Sequence, residues 1–155
     1  MKLQDLITNV ELAISKMGLS ESESKADENG QWVLLKDEMP VYLDAWEDSE
    51  SSPWNYFVFK QDPTVFQITI PFCYAPTVKR NELIEELLVV NLNLLFGKFS
   101  YNPKDNIVAL SLRIPGEQFN QESLQVWIDG LAYYAEMAYH VLKDEFHLKR
   151  VNVRD

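Results

Sequence analysis

The order of its segments constrains this chain more than any single motif does. Leu3, Leu6, Ile7, Val10, Ala13, Ile14 and Met17 recur at spacings of three and four, so they share one face of a first helix that Gly18 is suited to end. Strand candidates then crowd together at 32–35, 41–46, 55–60 and 65–72. In the last of these, Phe66, Ile68, Ile70 and Phe72 alternate with Val65, Gln67, Thr69 and Pro71, the period of a strand with one face in a core. A second helix, one hairpin and a long closing helix complete the chain. The order α-β-β-β(-β)-α-β-β-α predicts an α+β fold, a twisted antiparallel sheet flanked by helices, with three or four strands between the first two helices.

The second helix is expected over 81–95, with Asn81 as its cap and Glu82, Glu85 and Glu86 near the positive end of its dipole. Leu83, Ile84, Leu87, Leu88, Leu94 and Leu95 span a wide apolar arc with Asn91 near its middle. An unpaired buried amide costs on the order of 1 to 3 kcal/mol, so Asn91 should bond a neighbouring backbone or a partner chain. After Gly97, residues 98–101 and 107–114 form a hairpin around Asn102-Pro103-Lys104-Asp105-Asn106. Pro115-Gly116 breaks it, and Asn120 is the candidate cap of a helix over 121–146.

That helix carries two apolar stripes. Leu124, Trp127, Ile128, Leu131, Ala135, Ala138 and Leu142 form the expected core face. Val126, Gly130, Tyr133, Met137 and Val141 form a second, roughly opposite one. Either the chain's own loops or first helix cover this second stripe, or it meets a protein partner, for which Tyr and Met offer large, adaptable contact area.

Composition narrows the function. The 155 residues are 46% apolar and 12% aromatic, enough for a substantial core in a single domain spanning 1–155. A formal charge of −10 opposes phosphate backbones and anionic lipid, so neither nucleic acid nor membrane is an expected partner. The lone Cys73 allows no internal disulfide, the first residues lead into an amphipathic helix rather than a signal peptide's apolar core, and no apolar run approaches the roughly 20 residues of a membrane span. A cytoplasmic protein is expected. Residues 19–30 read as an acidic loop, and 147–155 as a flexible basic tail that either frays, docks back on the acidic body or meets an acidic partner.

Reaction chemistry has no local signature. Glu136, His140, Asp144 and His147 have helical spacing, but Asp129, Glu136, His140, Lys143 and His147 lie on the polar side, where solvation explains them. Cys73 sits at a strand end without a basic flank, as a packed thiol would. The five glycines are scattered singly, unlike a phosphate-binding loop. No catalytic residue, metal or cofactor is assigned.

The segment 83–146, with Leu94-Leu95-Phe96-Gly97-Lys98-Phe99-Ser100-Tyr101, then Ile107-Val108-Ala109-Leu110-Ser111-Leu112-Arg113-Ile114 and the long helix, resembles the YbjN-like family. That family is similar in fold to the type III secretion chaperones, which have a twisted antiparallel sheet flanked by helices in this order. The resemblance implies dimers built through a helix and nearby strand, apolar grooves that hold an extended effector segment, and a regulatory role exercised through protein contact. The aromatic stretch 54–74 departs from it, and a cystatin-like or nuclear-transport-factor-like fold is the alternative. The expectation is a non-catalytic, homodimeric protein-binding module, chaperone-like or a regulatory adaptor, with its site on the second stripe. The other reading is a small-ligand binder or enzyme with a pocket between sheet and helices lined by Asn91, Trp54 and Tyr56.

Overall fold

The computed structural model describes residues 1–18, 28–48 and 62–151. The elements run α1 (Leu3–Lys16), β1 (Gln31–Lys36), β2 (Met39–Glu47), β3 (Thr64–Tyr74), α2 (Arg80–Asn91), β4 (Lys98–Asn102), β5 (Ile107–Pro115) and α3 (Leu124–Phe146). The strands form one five-stranded antiparallel sheet in the order β1-β2-β3-β5-β4. Among the described residues three strands lie between α1 and α2; the fourth candidate, 55–60, lies outside them, as do residues 19–27 of the acidic loop.

Contacts group the residues into two compact units, and β1, β2, β3, β5 and α3 each contribute to both. In the unit of Met1–Leu34, Tyr42–Ile68 and Arg113–Trp127, α1 buries Leu6, Ile7, Val10, Ala13 and Ile14, the face its periodicity marked. At about 2 kcal/mol for each of the four larger side chains, this face contributes on the order of 8 kcal/mol before chain entropy is charged. Trp32, Leu34, Leu43, Phe66, Ile68 and Leu124 are buried in the same unit. Phe119 meets Phe66 edge-on at 4.7 Å, and Leu6 and Thr64 close over Gly116, where any Cβ would collide with Thr64. Asp62, whose place before Pro63 reads as that of a turn residue, is 1% exposed. It accepts from the Thr64 amide at 3.0 Å and hydroxyl at 2.7 Å, and from the Glu117 amide at 2.9 Å.

In the unit of Leu35–Val41, Thr69–Leu112 and Ile128–Asp155, the core gathers Ile70, Phe72, Leu83, Leu87, Phe99, Val108, Leu110, Ile128, Leu131, Ala135 and Leu142. β4 pairs with β5 from Lys98↔Ser111 to Asn102↔Ile107, and Asn106 closes their turn at φ 59°. Three boundaries differ from expectation. Helix α2 ends at Asn91 rather than 95, and there the Asn91 side chain bonds the Phe99 backbone twice, accepting from its N–H at 2.7 Å and donating to its C=O at 3.1 Å. The capping position belongs to Lys79, at φ 61° and without a side-chain cap bond, while Asn81 lies inside the helix. Asn120 does cap, accepting from Glu122, but the turn it caps is a 3-10 turn at Gln121–Ser123 that leads into α3.

Candidate protein-binding surfaces

Along α3 the second stripe faces solvent. Val126 is 63%, Tyr133 62%, Met137 47% and Val141 70% exposed, although burying such side chains is worth about 1.5 to 3 kcal/mol each. Gly130 is different: the Phe96 ring rests on it, in a space that any Cβ would fill. Phe96 also meets Tyr134 at 5.7 Å, and the Leu95 amide donates to the Tyr134 hydroxyl at 3.3 Å. The chain thus covers its own stripe at Gly130 with the loop after α2, and leaves Tyr133, Met137 and Val141 open.

A second apolar surface belongs to α2 and the loop that follows. Leu83 and Leu87 are buried, but Leu88, Val89, Leu92 and Leu95 are 60%, 55%, 84% and 90% exposed. Beside them Ile84, Leu88, Phe99, Tyr101 and Val108 line a small hollow. The wide leucine arc read as one helical face is split by the end of the helix at Asn91, so the later leucines are presented on a loop. Single exposed leucines are ordinary on proteins, whereas here Leu88, Val89, Leu92 and Leu95 follow one another closely in sequence beside the hollow.

The polar side of α3 is organised by the segment that follows it. His147, at φ 51°, turns the chain out, and the Leu148 amide donates to the Lys143 carbonyl. Leu148 is then buried, and the Tyr74 amide donates to the Lys149 carbonyl at 3.1 Å. The Arg150 guanidinium forks onto Glu136 at 2.7 and 3.1 Å and lies 3.8 Å from the Tyr139 ring centre. That bond holds the Glu136 carboxyl below its ordinary range and raises the guanidinium in turn. Residues 147–151 lie against the body through these contacts; 152–155 lie outside the described residues.

His140 stands 3.7 Å from Glu136, and Asp129 pairs with Lys36 at 2.9 Å. No group of three or more His, Cys, Asp or Glu among the described residues is placed to hold a metal. Burial pushes the Cys73 thiol up to about 12, too high for a thiolate at neutral pH. Of the pocket residues, Asn91 spends its amide oxygen and its amide nitrogen on Phe99, while Trp54 and Tyr56 lie outside the described residues. No described helix is long and apolar enough to cross a membrane.

No family model and no curated protein sequence matches the chain. Solved structures do. A chain of the ExsC–ExsE complex matches with a TM-score of 0.60 at 16% identity, over 90% of this chain and 95% of that one. A chain of the complex of the Yersinia pestis type III secretion chaperone SycH with a fragment of YscM2 matches with a TM-score of 0.55 at 13% identity, over 85% and 98%. The heterodimeric ExoU–SpcU complex of the Pseudomonas aeruginosa type III secretion system contributes a match with a TM-score of 0.58 at 13% identity, over 83% and 93%. The chain has the fold of the type III secretion chaperones. The likeness extends over nearly the whole of each chaperone-fold chain, and at these identities it transfers architecture rather than side-chain chemistry.

Proposed function

We propose that this protein is a non-enzymatic, cytoplasmic protein-binding module, chaperone-like or a regulatory adaptor of the YbjN type, working as a homodimer. The observation that carries the reading is the pair of exposed apolar surfaces on a chaperone fold, whose solved examples are complexes with other proteins. We assign them different tasks. The α2 surface, with Leu88 and Leu92 beside the hollow against β4, receives a second copy, in line with the helix-and-strand dimers that the resemblance implies. The α3 stripe of Val126, Tyr133, Met137 and Val141 receives the protein partner, while Gly130 serves it by seating Phe96.

Light scattering over a dilution series, combined with capture of proteins from native lysate, tests this assignment. Leu88→Asp with Leu92→Asp is expected to convert a dimer to a monomer. Tyr133→Asp with Met137→Asp is expected to keep the dimer mass and abolish capture of a recurrent partner. If folded protein of both double variants keeps wild-type mass and wild-type capture, the assignment is wrong.

A further inference from the structure

The segment Leu148–Val151 is held in a way that a permanent part of a fold seldom is. It meets the sheet at Tyr74, through an isolated bridge to Lys149 and the Lys149 ammonium 5.9 Å from the Tyr74 ring centre. Its ion pair is solvent-exposed, with Arg150 43% and Glu136 41% accessible, and exposed pairs contribute only about 0 to 1 kcal/mol. The hinge residue His147 occupies the left-handed region, which costs a non-glycine residue about 1 kcal/mol. Leu148 is the one buried anchor.

The place this segment occupies is built for its chemistry. A cavity of about 170 Å³ opens beside it, lined by Asp37, Glu38, Glu136, Phe72 and Tyr139 and by Arg150 and Val151 of the segment itself. Arg150 already shows how the site treats a guanidinium: a two-pronged bond to one carboxylate and a stack on one ring. We propose that this groove is a docking site for an extended, arginine-bearing segment of a partner protein, and that Leu148–Val151 is its resident competitor, a strap displaced when the partner binds. An apolar residue replaces Leu148, the partner backbone takes over the Tyr74 amide, and a partner arginine takes Glu136 and Tyr139. The acidic lining and the overall charge of −10 favour a basic occupant. The site adjoins the α3 stripe at Tyr133, which lines a neighbouring hollow with Asp37, Glu136 and Arg150, and it rests on the premise of the preceding reading that this chain binds protein.

The test uses the full chain with Leu148→Asp and Arg150→Glu, which expel the strap, and reads the hydrogen exchange of the Tyr74 amide by NMR. Exchange is expected to rise about tenfold while the β4–β5 hairpin amides keep their protection. A blocked Leu-Lys-Arg-Val peptide should restore the protection, and a Leu-Lys-Glu-Val peptide should not. Adding Glu136→Gln should cancel the restoration. If Tyr74 exchange does not change, or neither peptide restores it, or both restore it equally, the proposal is overturned. Should the double variant lose its hairpin protection, Arg150→Ala alone replaces it, with an expected rise of about fivefold from the lost ion pair and stack; no rise there also overturns the proposal. Because no residue of the α3 stripe is altered, failure here leaves the Tyr133 and Met137 test standing.

Discussion

At Asp62 three donors converge on a carboxylate that is almost fully enclosed. Burial alone would push this carboxyl up, but the bonds from Thr64 and Glu117 outweigh it and hold it below its ordinary range. A carboxyl lowered in the folded state stabilises the fold fully above its unfolded value near pH 4, and that contribution disappears as the pH falls through the folded value. Asp62→Asn keeps the shape but sets its NH2 against either the Glu117 N–H or the two Thr64 donors, so it should cost about 2 kcal/mol at pH 7. Urea unfolding of both proteins at pH 7 and pH 3 checks this: the gap should narrow at the lower pH, and a gap that widens there contradicts it. The sequence displayed Asp62 only as a turn residue before Pro63, because its decisive partner lies 55 positions away. Asn91 was more legible. An amide in an apolar arc must find a bond, and the Phe99 backbone eight residues on supplies two.

Among the elements, the strands and helices whose apolar period is strict lie where the sequence places them: α1, β3, β5 and the core face of α3. What misled was the end of α2. Its leucines continue the helical spacing past Asn91, but spacing cannot show that an amide and a loop seated on Gly130 will stop the helix. The β1–β2 connection carried no recognisable turn signal either. Asp37 and Glu38 adopt φ of 50° and 69°, the left-handed pair of a type I′ turn that Asn-Gly satisfies without strain. Replacing them together, Asp37→Asn with Glu38→Gly, should stabilise the protein by about 1 kcal/mol, seen as a raised thermal midpoint. An unchanged or lowered midpoint would mean that the two acidic side chains hold the turn by contacts that offset its strain.

For the molecule as a whole, charge and apolar surface act in opposite directions. Two copies meeting through Leu88, Val89 and Leu92 bring together two bodies that each carry −10, so repulsion opposes an association driven by apolar burial. The groove beside Arg150 depends instead on attraction between carboxylates and a basic segment. Screening by salt therefore separates the two surfaces. Between low ionic strength and about 0.15 M, where the Debye length shrinks to about 8 Å, self-association should tighten roughly threefold, and binding of the Leu-Lys-Arg-Val peptide to the strap-expelled chain should weaken by a similar factor. Sedimentation equilibrium and an NMR titration at the two salt concentrations measure these separately. If both responded in the same direction, one of the surfaces would have been assigned the wrong physics: tightening of both would mean that the groove binds through Leu148's apolar seat alone, and weakening of both that the copies meet through charge rather than through the leucines of α2.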